Sequence, residues 1–211
     1  MMYYLVPRVV RHKVTLRNKF LLRINLNVNF PLSIFHFQFS IFMTIPIISD
    51  SHGSGYKAEI IFERLKKCGE IPREAIFLGD GARDIESGIP FGCALLSVAG
   101  NCDAWTSLFN DDGSEIPDER VEFVGGLKIF MTHGHKYSVK SGLGFAIGRA
   151  RSVGADVLLY GHTHEPVSYT IPADDRYEKP LYVFNPGSLR EGSFGLLTVK
   201  DGKPLFSHGK I

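Results

Sequence analysis

The sequence predicts an α/β fold, because short apolar runs alternate with an amphipathic helical pattern. Residues 45–48 are almost continuously apolar, which is typical of a strand that is buried on both faces. A turn with two glycines follows, and then Ala58, Ile61, Leu65 and Cys68 recur at helical spacing between charged residues. At 211 residues and 44% hydrophobic, the chain can bury the core of one globular domain.

The remaining elements follow in order from the same patterns. The helix that begins near Ala58 is expected to end at Gly69, a residue suited to a C-terminal cap. A second helix is predicted from Val139 to Val153, weakened by three internal glycines. Further strands are predicted at residues 75–78, 94–99, 157–160, 181–184 and 195–199, with a hairpin over 121–131 and a turn at Asp201-Gly202.

The chain changes character near residue 43. Residues 1–43 hold six basic residues and no acidic one, whereas the rest holds 18 basic and 22 acidic residues, and all 22 glycines lie at or after Gly53. We therefore expect residues 1–42 to be a basic, non-native or disordered extension, and residues 43–211 to be the domain. Four alternatives for this segment stay open: a targeting peptide, an interrupted membrane span, an arm that binds nucleic acid, or a half-buried strand over residues 22–30.

Composition also bears on location and partners. Three cysteines are too few for a disulfide framework, so we expect a reducing compartment and a cytoplasmic protein. The extension's scattered charges are a weak signal for nucleic acid, and its uncharged run is a poor membrane span. We expect neither a membrane nor a nucleic acid as partner, and a homo-oligomer stays open.

Polar residues stand directly after five of the apolar runs, each beside a glycine. In open α/β sheets the ligand site lies beyond the carboxyl ends of the strands, so these side chains are expected to meet. Two carboxylates, one amide and four imidazoles form the set: Asp50, His52, Asp80, Asn101, His133, His162 and His164.

This set predicts a metal centre. Seven ligands exceed what one divalent ion uses, but two ions can share them if a carboxylate bridges. Mixed oxygen and imidazole ligands suit Mn, Ni, Zn or Fe better than Mg or Ca, and Mn is favoured here. Two ions about 3.5–4 Å apart form a clamp for displacement at phosphorus, and a water held between them becomes a nucleophile.

Five short motifs in this order resemble the signature of the calcineurin-like metallophosphoesterase superfamily. They are Asp50-x-His52, Gly79-Asp80, Gly100-Asn101, His133-Gly134-His135 and Gly161-His162-Thr163-His164. Within that superfamily, the chain is similar to the small bacterial and archaeal phosphodiesterases of the YfcE type. Residues 185–188 also resemble the C-terminal turn of that group. The resemblance covers roughly residues 43–200. It implies a four-layer α/β/β/α sandwich with metals at one sheet edge.

The resemblance also implies a division of the ligands between two ions. One ion would lie on Asp50, His52, Asp80 and His164. The other would lie on Asp80, Asn101, His133 and His162, so that Asp80 is the bridge.

The chain departs from many superfamily members at Cys102, where they carry a histidine that assists the leaving group. Cys102 could pack, donate weakly or react as a thiolate, and His135 could serve as the acid instead. The catalytic residue is therefore left unknown, with Cys102 and His135 as candidates. Asp103 could orient a neighbouring imidazole or cap the turn.

These observations favour a dimetal-dependent phosphodiesterase that hydrolyses a phosphodiester, or a phosphomonoester, through a metal-bridging water or hydroxide. The expected substrate is a small-molecule or nucleotide phosphoester. The alternative is a catalytically weak protein-interaction scaffold of the same fold, like the retromer small subunit. A scaffold tolerates the loss of ligands, and all seven are present here.

Overall fold

A computed structural model describes residues 44–103 and 115–211 of the chain. The predicted extension, residues 1–42, lies outside the described residues, and so does the alternating stretch 22–30.

Ten strands and three α-helices are present in the described residues. They are β1 (Thr44–Ile48), α1 (Tyr56–Lys67), β2 (Glu74–Phe77), α2 (Ala82–Ile85), β3 (Ala94–Ser97), β4 (Glu119–Val124), β5 (Leu127–Thr132), α3 (Gly144–Ser152), β6 (Val157–Tyr160), β7 (Pro166–Ile171), β8 (Leu181–Pro186), β9 (Ser193–Lys200) and β10 (Lys203–Lys210).

The strands form two mixed sheets of five. The first has the order β10-β9-β1-β2-β3, with β1, β2 and β3 parallel and the other two antiparallel. The second has the order β4-β5-β6-β8-β7, with β5, β6 and β8 parallel at its centre. Each sheet thus has a parallel centre whose strands all end on one side.

Three apolar clusters separate four layers. The cluster between the sheets includes Ile47, Ile76, Met131 and Leu159, all fully buried. A second cluster lies under α1 and α2 on the outer face of the first sheet, and a third lies under α3 on the outer face of the second. This arrangement confirms the predicted four-layer α/β/β/α sandwich.

The end of α1 confirms the predicted cap at Gly69. This glycine has φ +83°, and its N–H donates to the carbonyl of Lys66 while the Glu70 N–H donates to that of Leu65. These two bonds are the Schellman motif, which requires a left-handed residue. The helix has 12 residues, and no described helix has the length and apolar character needed to cross a membrane.

The second predicted helix is shorter than expected. Residues 139–141 form a separate 3-10 turn, and α3 begins only at Gly144. Gly142, at φ +139°, lies between them in a backbone conformation that no helix contains. Of the three glycines that weakened the prediction, Gly142 therefore breaks the helix, whereas Gly144 and Gly148 lie within α3.

Candidate metal centre

The predicted polar residues gather where strands of both sheets end. Asp50 and His52 follow β1, Asp80 follows β2, His133 follows β5, and the histidines of the 161–164 segment follow β6. Their side chains approach one another across the two sheets, with His133 Nε2 3.4 Å from Asp80 Oδ2. The site therefore lies between the two sheets and draws on the ends of both.

The six side chains that meet divide into two compact groups. Asp50, His52 and His164 have ligand atoms within 4.8 Å of one another, and so do Asp80, His133 and His162. In the first group His164 Nε2 lies 3.2 Å from Asp50 Oδ1 and 3.4 Å from His52 Nε2. Each group could hold one metal ion.

Asp80 lies between the groups. Its Oδ2 atom is 3.4 Å from His133 Nε2 and 3.7 Å from His52 Nε2. Its other oxygen, Oδ1, accepts the backbone N–H of Cys102 at 2.7 Å. A third possible ligand group, formed by His52, Asp80 and Cys102, overlaps both of the others.

Asn101 lies at the rim of this cluster of six. Its side chain is exposed, and its Nδ2 atom lies 3.3 Å from the Cys102 sulfur. The structure thus places the predicted amide ligand at the rim of the site, beside Cys102.

The site contains two buried carboxylates that no described lysine or arginine side chain neutralises, which favours the binding of a metal ion. Asp50 and Asp80 are 0% and 2% exposed, and within residues 44–103 and 115–211 only histidines form ion pairs with them. Burying unpaired charge is costly, so a bound cation would stabilise both carboxylates.

One oxygen of Asp50 gives the strongest indication that the site could hold a cation. Its Oδ2 accepts hydrogen bonds from the Ser49 hydroxyl at 2.5 Å and from the backbone N–H of His162 at 3.1 Å. Its Oδ1 is buried and has no hydrogen-bond partner in the described structure. Three imidazole Nε2 atoms lie 3.2–4.0 Å from Oδ1. An unpartnered carboxylate oxygen facing imidazole nitrogens is what a divalent cation would satisfy.

The backbone of the site is strained. Outside glycine, seven described residues have positive φ, and five of them are predicted ligands: Asp50, His52, Asp80, His162 and His164. Such conformations cost about 1–3 kcal/mol each and persist where the surroundings impose them, often at functional sites.

Glycines permit the close approach of these loops. A Cβ at Gly100 would lie 2.1 Å from Asp80 Oδ1, and one at Gly161 would lie 2.0 Å from the Ser49 hydroxyl. Any side chain at either position would therefore displace a predicted ligand or its support.

The ionisation of His162 and Asp80 suits metal binding. Burial, together with His133, lowers the pKa of His162 to about 4, which leaves this imidazole neutral at pH 7. Burial alone would raise the pKa of Asp80, but hydrogen bonds from His133 and Cys102 outweigh it and lower that pKa. Ionised carboxylate and neutral imidazole are the forms that bind metals.

Two supporting contacts fix the orientation of the histidines. His133 Nδ1 lies 2.7 Å from the carbonyl oxygen of Leu78, so its N–H points there and Nε2 faces the cluster. Asn185 is buried and donates through Nδ2 to the Gly161 carbonyl and to the Thr163 hydroxyl, both at 3.1 Å. Asn185 belongs to the turn singled out in the sequence, but its support of the His162–His164 loop was not predicted.

Asp103 caps backbone N–H groups, which is one of the two roles that the sequence left open for it. Its carboxylate accepts four backbone N–H groups, from Asp80, Gly81, Ala82 and Gly100, at 2.8–3.1 Å. It therefore ties the loop after β2 to the loop after β3. This buried side chain supports Asp80 through the backbone.

The two candidate acids differ in placement. Cys102 is exposed, and desolvation with the hydrogen bond to Asp80 raises the pKa of its thiol to about 11, which keeps it protonated at pH 7. His135 is half-buried, its ring centroid 5.5 Å from that of His133, and its Nδ1 has no hydrogen-bond partner in the described structure. Burial and His133 lower the pKa of His135.

Fold and cluster together define an α/β sandwich with side chains that could hold metal at the ends of its parallel strands. A sequence profile of the calcineurin-like phosphoesterase superfamily domain matches residues 43–202. The chain is also 30% identical over 165 residues to the probable metallophosphoesterase YsnB of Bacillus subtilis (strain 168), covering 75% of this chain and 86% of YsnB. The chain belongs to the calcineurin-like phosphoesterase superfamily.

Solved structures share the fold at lower identity. A structure reported for a novel archaeal phosphodiesterase is 24% identical, with a TM-score of 0.57, and the match covers 80% of this chain and all of that one. A Vps29 double mutant from Entamoeba histolytica is 19% identical with the same TM-score, over 80% of this chain and 99% of that one. At these identities the likeness shows the fold alone.

Proposed function

We propose that this protein is a dimetal-dependent phosphodiesterase that hydrolyses a phosphodiester, or a phosphomonoester, of a small molecule or nucleotide. Superfamily membership supports phosphoester hydrolysis. The observation that carries the proposal is the pair of ligand groups with Asp80 between them and an unpartnered Asp50 oxygen inside.

The proposed ligands follow the two groups. One ion would bind Asp50, His52 and His164, and the other His133 and His162, with Asp80 shared by both. Asn101 would complete the second set from its exposed position beside Cys102. The mixed oxygen and nitrogen ligands favour Mn, with Ni, Zn or Fe as alternatives.

When bound, two divalent ions supply Lewis-acid polarisation of the phosphoryl group and a water of lowered pKa. The chain's own residues hold that arrangement in place. Leu78 and Asn185 orient His133 and the His162–His164 loop, and Asp103 fixes the backbone at Asp80. His135 and Cys102 line the rim, where either could hold a proton for the leaving group.

A scaffold of the same fold is the alternative function. The likeness to Vps29 is the observation that favours it. A scaffold has no need of a buried, unpartnered carboxylate oxygen or of five strained ligand positions, so the site favours hydrolysis. The cytoplasmic location and the partners stay predictions.

Activity with added metal tests the proposed function. We expect the chain to cleave bis-p-nitrophenyl phosphate with added Mn²⁺ and to lose that activity on chelation, because the site supplies a complete ligand set. Activity should return when Mn²⁺ is restored after the chelator is removed. If Mn, Ni, Zn and Fe all fail on a panel of phosphodiesters and phosphomonoesters, the scaffold is the better account.

Replacing Cys102 by serine tests the role of the thiol. We expect Cys102→Ser to keep at least about a tenth of the activity, because a packing or weakly donating group is worth less than the 10²–10⁴-fold of general acid catalysis. The exposed Cys68→Ser variant is the matched control. A hundredfold loss at full metal content would instead place the thiol in the chemistry.

A further inference from the structure

A small cleft opens beside the candidate metal centre. Its volume is about 180 Å³, and it is lined by His52, Gly81, Arg83, Asp84, Cys102 and Asp103. His52 and Cys102 also belong to one of the possible ligand groups. A chemical group in this cleft would therefore lie next to a phosphoryl group held at the centre.

Among the described residues that line this cleft, Arg83 carries the one permanently cationic side chain. The two carboxylates in the wall are already engaged. Asp84 Oδ2 accepts the Ser51 hydroxyl and the Gly53 N–H, both at 2.8 Å, and Asp103 accepts four backbone N–H groups. Arg83 makes no hydrogen bond or ion pair within residues 44–103 and 115–211. Its guanidinium is thus available to a ligand.

Charge and size indicate what that ligand is. Two divalent ions carry as much positive charge as the four nearby carboxylates, Asp50, Asp80, Asp84 and Asp103, carry negative charge. Arg83 then leaves the region net positive. Pockets that enclose whole ligands usually measure about 300–1,000 Å³, so this cleft suits one group of a larger molecule. A guanidinium binds phosphate through two parallel hydrogen bonds.

We propose that Arg83 binds a second phosphate group of the substrate, which makes the preferred substrate a phosphoester with another phosphate near the scissile one. The inference rests on the proposed function, because it assumes that the scissile group is held at the metal centre. Arg83 is then a specificity-determining residue rather than a participant in the bond-breaking step.

Two esters that differ in one phosphate test this subsite. The first is the p-nitrophenyl ester of thymidine 5′-phosphate, and the second carries an additional 3′-phosphate. For Mn²⁺-loaded wild type we expect the higher kcat/KM with the 3′-phosphate. In Arg83→Gln the ratio of the two kcat/KM values should fall about tenfold, through KM, since a charge-assisted contact is lost. Arg83→Lys, which keeps the charge but not the fork, should give an intermediate ratio.

Arg73→Gln is the matched control, because Arg73 is exposed and lines a different cavity, next to Phe91. It should leave the ratio of the two esters at the wild-type value. Titration calorimetry supplies a second readout, with thymidine 3′,5′-bisphosphate expected to bind about tenfold more weakly to Arg83→Gln than to wild type, and thymidine 5′-phosphate to show a smaller change.

The outcomes separate the subsite from the proposed function. An unchanged ratio in Arg83→Gln, or an equal loss with both esters, would overturn the subsite while hydrolysis itself stands. If neither ester is cleaved, the proposed function fails, and calorimetry still decides: equal weakening of both nucleotides, or none, overturns the subsite.

Discussion

Asp80→Asn is expected to remove nearly all hydrolysis and to leave fewer than two metal ions per chain. Asp80 is buried between the two ligand groups, with Oδ2 within 3.7 Å of both His133 and His52. A neutral amide is a poorer bridge than a carboxylate and would leave charge between the ions uncompensated. Changes to mere supporting partners cost about 10–100-fold in metal affinity or activity, so a bridging ligand should cost more than about a hundredfold.

Elemental analysis of the purified variant, alongside turnover of bis-p-nitrophenyl phosphate, measures both effects. Asp175→Asn is the control, because Asp175 is an exposed residue of the loop between β7 and β8. It should match wild type in metal content and rate. Two full equivalents of metal with normal turnover in Asp80→Asn would show that Asp80 is no bridge.

Asp103→Ala is expected to lower the free energy of unfolding by at least about 3 kcal/mol. The change leaves four backbone N–H groups without their acceptor, and each unsatisfied buried donor costs about 1–3 kcal/mol. For a domain of this size the midpoint of thermal unfolding should fall on the order of 10 °C. Metal affinity should fall as well, because the backbone at Asp80 loses its anchor.

Asp103→Asn is the informative second variant. Its remaining oxygen can still accept two of the four N–H groups, whereas its amide N–H₂ would face the other two, donor to donor. We therefore expect Asp103→Asn to lose less stability than Asp103→Ala. Asp175→Asn should unfold at the wild-type temperature. If Asp103→Ala unfolds at that temperature too, the four bonds do not support the loops.

The strands and the site were accessible to prediction for the same reason. An apolar run that stops at Asp50, Asp80, His133 or His162 marks both the end of a buried strand and the polar residue placed there. Because β1 and β2 are parallel, and β5 and β6 are parallel, the ends meet within each sheet, and the packing of one sheet on the other brings the two pairs of ends together. The pattern therefore indicated which polar residues lie at strand ends, but not that two sheets would bring them together.

Exposed elements were harder to predict. β7 begins with Pro166 and lies largely at the surface, so it has no apolar run to reveal it. β3 was predicted as a strand over residues 94–99, but it spans only Ala94–Ser97, it is the edge strand of its sheet, and its first residue, Ala94, is exposed. The position of each of these two strands depends on the strand with which it pairs, and its own residues do not specify that partner.

The support of the site was the least predictable part. Whether Asp103 capped a turn or oriented an imidazole depended on where four N–H groups from two separate loops point. The contact of Asn185 with Thr163 likewise joins residues 22 positions apart. Such contacts follow from the folded backbone, and a linear pattern carries no trace of them.

The proposed activity requires that the six gathered side chains hold two metal ions. Crystals grown with Mn²⁺ and measured by anomalous scattering test it directly. We predict two peaks about 3.5–4 Å apart, one at Asp50, His52 and His164 and the other at His133 and His162, with Asp80 contacting both. No peak at this cluster in Mn²⁺-saturated crystals, or a single peak that Asp80 does not contact, would contradict the account.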